Sequence, residues 1–217
     1  MLHHGDGLLR GEGIFASDSR PIPWKHLTVA VLLAGATYGL VMGSFDGRLL
    51  QAVLSGLKVP ILVAISTIVC LPNFFVAFNL LGLREDFGAA VCGIASAQAT
   101  FALTLVSLAP LTAFSYLSEI NYNTAKVVNL TMFATACVGA QITLGRHFRP
   151  LIRKDPRHRR GLVAWFGLYT FVAVQLAWVL RPFIGSPDIE TRLFRESAWG
   201  NAYVELYVTI ARLLGGG

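Results

Sequence analysis

Long apolar runs, broken at short intervals by charge, Pro or Gly, dominate the chain. A helix needs about 20 apolar residues to cross a hydrocarbon core of about 30 Å. Five runs meet that length: 26–45, 60–81, 87–111, 124–144 and 161–180. None alternates with the period of two that marks an outer-membrane barrel. None carries the wide polar face of a helix on the surface of a soluble bundle. The pattern predicts an all-α integral membrane protein with five transmembrane helices.

Two further segments read as amphipathic helices lying on the membrane surface. In 47–58, Leu49, Leu50, Val53, Leu54 and Leu57 alternate at helical period with Arg48, Gln51, Ser55 and Lys58. Twelve residues are too few to span, so the segment is expected to lie flat at the outer interface. Pro60 would then open the second span, where its missing N–H costs nothing. In 201–214, Glu205, Thr209 and Arg212 form a narrow polar stripe. A glutamate in mid-span costs about 2.5 kcal/mol or more, so this helix too is expected at the outer surface. The chain divides accordingly into a tail (1–25), a five-helix membrane domain (26–185) and an outer-face C-terminal segment (186–217). Asp6, Glu12 and Asp18 precede the first apolar run, which does not fit a cleaved signal peptide.

Charge sets the expected orientation. Only 14% of the 217 residues are charged, against about 25% in soluble domains. Arg146, Arg149, Arg153, Lys154, Arg157, Arg159 and Arg160 crowd one loop, opposed by Asp155 alone. Cytoplasmic loops carry such an excess. Placing this loop inside puts the N-terminus in and the C-terminus out, as a multi-pass membrane protein. Arg10, Arg20, Lys25 and Arg84 fall on the same side. The net charge of +6 is then a basic face toward anionic lipid, where each Lys or Arg contributes about 1 kcal/mol. It calls for no nucleic-acid partner. Trp24 and Trp165 are expected at the inner interface, and Tyr116, Tyr122 and Trp178 at the outer one.

Packing and chemistry come from the small and polar residues. Gly35, Gly39 and Gly43 form a tandem GxxxG ridge in the first span, and Ala89, Gly93 and Ala97 a similar one in the third. Such ridges let backbones approach closely. The two are expected to pack on each other, with a separate subunit as the alternative partner of the first. Pro72-Asn73 predicts a kink in the second span. The polar side chains at membrane depth, Asn73, Gln98, Asn129, Gln141 and Gln175, are all neutral. HExxH, P-loop and GxGxxG patterns do not occur, and no histidine lies inside a long apolar run. No catalytic, cofactor or metal site is therefore expected, and the amides read as glue between helices. Arg181, held before Pro182 at a helix end, is expected to clamp carbonyls or an acid, with Glu119 and Glu196 as candidates. Arg195 and Asn201 would join Glu119 in a polar cap over the bundle.

Several motifs carry a resemblance. They are Ser55-Gly56-Leu57-Lys58-Val59-Pro60, Thr67 with Cys70-Leu71-Pro72, Ala109-Pro110, Gln175 with Trp178 and the run Leu180-Arg181-Pro182-Phe183-Ile184-Gly185-Ser186-Pro187, then Phe194-Arg195 and Gly200-Asn201 with Tyr203. Across about residues 36–210 the chain resembles a bacterial family of small five-span membrane proteins, some labelled actin-binding, and is similar in architecture to the Yip1 family. The resemblance implies a five-span fold and a role in membrane organisation, and supplies no catalytic residue. Together with the ridge and the absent intramembrane charges, it points to a non-enzymatic scaffold or accessory subunit of a larger membrane complex. Its partners would be other membrane subunits and anionic lipid. A lipid-handling (scramblase- or flippase-like) or small-molecule transport protein with a polar path near Pro72-Asn73 is the alternative.

Overall fold

The computed structural model describes residues 24–45, 47–185 and 203–204. Five helices follow in order: α1 (Trp24–Gly43), α2 (Leu49–Leu80), α3 (Phe87–Leu117), α4 (Tyr122–Lys154) and α5 (His158–Leu180). All five are long and apolar enough to cross a membrane. A 3-10 turn, Arg84–Asp86, joins α2 to α3. Among the described residues there is no strand.

The first departure from expectation is at the start of α2. Residues 49–58 are helical but do not form a separate surface element, because α2 runs unbroken through Pro60 and Pro72 for 32 residues, Leu49–Leu80. At 1.5 Å per residue that is about 48 Å, longer than the hydrocarbon core alone requires. The cause is packing. The glycine ridge of α1 lies against the 51–60 stretch of α2, which packs the first turns of the helix into the bundle. A Cβ on Gly39 would strike the Ser55 carbonyl oxygen and stand 2.8 Å from the Gly56 Cα. A Cβ on Gly43 would stand 2.7 Å from the Ala52 Cα. At Gly35 the nearest atom is the Pro60 nitrogen at 3.5 Å.

Spans one and three do pack, through Leu27, Ala30 and Val31 against Ala95, Ala99 and Leu103, but Gly93 of the α3 ridge has another partner than the one expected. A Cβ on Gly93 would sit 2.8 Å from the His147 Cβ, so this glycine lets α4 approach α3. Around it lies one core cluster of Cys70, Phe74, Phe78, Ile94, Ala97, Leu144, Phe148 and Trp165. Trp165 is buried there, edge-on to Phe74 and stacked on Tyr169, rather than placed at the inner interface. A second cluster gathers Tyr38, Met42, Val59, Leu105, Ala109 and Ala136 at the opposite end, closed by Ile184 from the segment after α5.

Helix α5 is the least enclosed. Its buried residues are His158, Gly161, Trp165 and Leu180. Gly161 brings it onto α2, where a Cβ would meet the Phe78 ring at 2.5 Å. Tyr203 stacks on Phe171 with ring centroids 4.9 Å apart and donates to the Phe171 carbonyl at 2.7 Å. Phe171 lies in the middle of α5, so Tyr203 packs beside the middle of that helix. The rest of the expected 201–214 helix lies outside the described residues.

Candidate functional site

Polar side chains collect at the two ends of the bundle. At the end where α2 begins, Gln51, Ser55 and Lys58 recur at i, i+4 and i+7, which places them on one helix face. That face is turned inward. All three side chains are at most 1% exposed, whereas Leu49 is 84% exposed and Leu50, Val53 and Leu57 are more than half exposed. The polarity is that of a membrane helix, apolar outward and polar inward, and the reverse of a soluble helix.

The inward stripe holds the chain that leaves α5. Lys58 Nζ donates to the Pro182 carbonyl at 2.8 Å. Gln51 Nε2 donates to the Phe183 carbonyl at 3.0 Å, to the Pro182 carbonyl at 3.4 Å and to Ser55 Oγ at 3.1 Å. Ser55 Oγ donates to the Phe183 carbonyl as well. The Arg181–Pro182 peptide is cis. Gly185 lies so close that a Cβ would come within 2.8 Å of the Gln51 Cγ. A second set of bonds stands beside this one. Tyr38 donates to Asn129 Oδ1 at 3.0 Å, Asn129 Nδ2 donates to the Tyr116 hydroxyl at 2.6 Å, and Tyr116 donates to the Met42 carbonyl at 3.2 Å. Tyr116 is thus an internal link between α3, α4 and α1 rather than an interfacial anchor. Asn129 bridges helices, as the amide-glue reading expects.

At the other end, acids and bases tie three connections together. Lys154 Nζ meets Asp86 Oδ1 at 2.6 Å. The fully buried His158 donates from Nδ1 to the Asp155 carbonyl at 2.9 Å. Its Nε2 stands 3.3 Å from Asp86 Oδ2, an ion-pair distance without hydrogen-bond alignment. Arg157 donates from Nη1 to the Leu81 carbonyl at 3.0 Å and pairs with Asp155 through Nη2 at 2.8 Å. Asp155 also accepts from the Arg157 backbone N–H at 2.8 Å. The Arg157 side chain, then its backbone N–H, hold the Asp155 carboxyl below the usual carboxylate range. A depressed acid adds stability above its unfolded-state pKa and loses it as pH falls through the folded value. We therefore expect the α4–α5 turn to loosen in acid, below about pH 4. Hydrogen exchange at 155–158, corrected for intrinsic rate, should rise there in the native protein. Asp155→Asn should exchange fast already at pH 7 and show no acid step, and an unchanged acid step in that variant would remove Asp155 as its source.

The structure distributes the other expected site residues as follows. The Arg181 guanidinium carbon lies 3.0 Å over the Trp178 ring. The carbonyls beside it are held by the α2 stripe. Glu119 is exposed in left-handed backbone, φ 52°, after α3. Glu196, Arg195 and Asn201 lie outside the described residues. Pro72 and Asn73 are both exposed on α2. Arg146, Arg149, Arg153, Arg159 and Arg160 are exposed. Among the described residues no three His, Cys, Asp or Glu side chains converge as a metal site would need. The α2 stripe had a sequence signal, its i, i+4, i+7 spacing. Asp86 with Lys154 had none, since 68 residues separate them. No family model, curated protein or solved structure matches the chain. The class that the fold defines is a multi-pass helical membrane protein.

Proposed function

We propose that the chain is a non-enzymatic integral membrane scaffold or accessory subunit of a larger inner-membrane complex, oriented with its N-terminus and basic loop in the cytoplasm. The observation that carries the reading is Asn73. Its amide is exposed on the outside of α2 and makes no hydrogen bond with a described residue. A polar group facing lipid without a partner is costly, and amides between membrane helices contribute about 0.6–2 kcal/mol each. A neighbouring subunit's helix satisfies the amide where lipid cannot. The lightly packed α5, with few buried residues along its length, supports the reading.

The test is photo-crosslinking in intact membranes from a reactive residue at position 73, with position 130 on the exposed face of α4 as reference. A discrete adduct with another polypeptide is expected from 73 and not from 130. Adducts with lipid alone at both positions would defeat the proposal.

A further inference from the structure

We propose that the cleft at the start of α5 binds the headgroup of one anionic phospholipid molecule. The cleft has a volume of about 590 Å³ and is lined by Pro156, Arg157, Arg159, Arg160, Val163 and Ala164. That volume is in the range of small-molecule sites, about 300–1,000 Å³.

The lining is divided along the helix. Three guanidinium groups stand at one end, and an aliphatic wall stands one turn further on, about 6 Å along the axis. Arg157 is fixed by Asp155 and the Leu81 carbonyl, so it forms a set wall. Arg159 and Arg160 are exposed and make no ion pair or hydrogen bond with a described residue. Two of the acids nearby are committed. Asp155 is paired with Arg157, and Asp86 with Lys154 and His158. The first turn of α5 contains no acid. The cleft is thus left with two uncompensated guanidinium groups that present planar, bidentate donors suited to a phosphate.

The aliphatic wall selects the source of that phosphate. Val163 is 64% exposed and Phe166, three residues on, is 52% exposed. Both lie on a helix long and apolar enough to cross a membrane. A phosphate held by Arg159 and Arg160 would therefore run its acyl chains down Val163 and Phe166. A soluble phosphate would use the arginines and leave that wall uncovered. This goes beyond a diffuse basic surface, because it assigns the binding to two arginines out of the seven cations in the loop region.

The experiment uses the full chain in neutral detergent micelles, with lipid retention read by native mass spectrometry. Phosphatidylglycerol should be retained at one molecule per chain, and phosphatidylcholine should not. The double variant R159Q/R160Q should weaken phosphatidylglycerol retention roughly thirtyfold or more, because both charge-assisted contacts to the phosphate are lost. R149Q/R153Q, with the same change of net charge on α4, should weaken it less than about threefold, because only the screened field of distant charges is lost. Both variants alter exposed side chains, and unchanged melting without added lipid checks the fold. Equal losses in the two variants would show a diffuse field and overturn the site. Retention of glycerol phosphate as strong as that of the lipid would reassign the cleft to a soluble anion. Displacement of the lipid by an equal concentration of an acidic peptide would reassign it to a protein partner.

Discussion

Gly39→Ala should be among the most damaging single-methyl changes in this protein, while Gly35→Ala, one turn away on the same ridge, should be tolerated. The added Cβ at position 39 collides with the Ser55 carbonyl group and the Gly56 Cα. These are backbone atoms of a helix and cannot rotate away. Either α1 and α2 separate or one of them bends. Overpacking of this kind costs about 1–3 kcal/mol, occasionally more, and a backbone collision belongs at the upper end. At position 35 the nearest atoms are those of Pro60, at 3.5–3.6 Å, which is ordinary contact. There the change gains helix propensity, up to about 1 kcal/mol. Gly43→Ala, with three atoms at 2.7 Å, should resemble Gly39→Ala. Thermal melts in one detergent order the three variants. A Gly35→Ala loss as large as that of Gly39→Ala would mean that the α1–α2 seam is not where these distances put it.

That contrast marks what the chain makes legible and what it hides. The five spans can be read because each must satisfy its backbone internally in lipid, and that demand leaves a long apolar run in the sequence. The glycine ridge is legible as a ridge, since its spacing of four is a helical property. Its partner is not. Which helix fills the groove depends on contacts between distant segments, and the small residues of α3 were the expected partner. The stripe Gln51-Ser55-Lys58 was visible, but its direction was misread. A polar face is outward in water and inward in lipid, and the two give the same spacing. What decides the direction here is that Pro60 does not end the helix, so residues 49–58 share the environment of the span. Trp165 was misplaced for a related reason. An aromatic residue near a span end suits either the interface or the core, and only Phe74 and Tyr169 settle which. At the basic end, seven cations announced themselves by number. The Asp86 and His158 contacts that fix the helices there are made between side chains far apart in sequence.

The inward stripe also yields the sharpest energetic test, because the surface-helix reading and the structure give opposite signs. For a helix lying flat at the interface, Gln51→Leu would add apolar area and raise membrane affinity. In the structure Gln51 is buried, and its Nε2 serves the Phe183 and Pro182 carbonyls and Ser55 Oγ. Leucine is of similar size but leaves Phe183 with Ser55 alone, and Pro182 with Lys58 alone. Loss of a buried hydrogen-bond partner costs about 1–3 kcal/mol. The Gln51 Oε1 finds no donor among the described residues, so its removal returns part of that cost. The net loss should be nearer 1 than 3 kcal/mol. Ser55→Ala should cost less, since Gln51 still reaches Phe183. The double variant should cost more than the sum of the two, because it removes both donors to one carbonyl. Lys58→Met is a poorer global test. A buried ammonium's desolvation penalty of several kcal/mol offsets its charged hydrogen bond of about 1.5–3 kcal/mol. Its expected signature is local, faster hydrogen exchange at 183–185 with little change in melting. For Gln51→Leu the measurement is the melting temperature in detergent, and a value at or above that of the native protein would mean that the stripe does not hold the 182–185 segment.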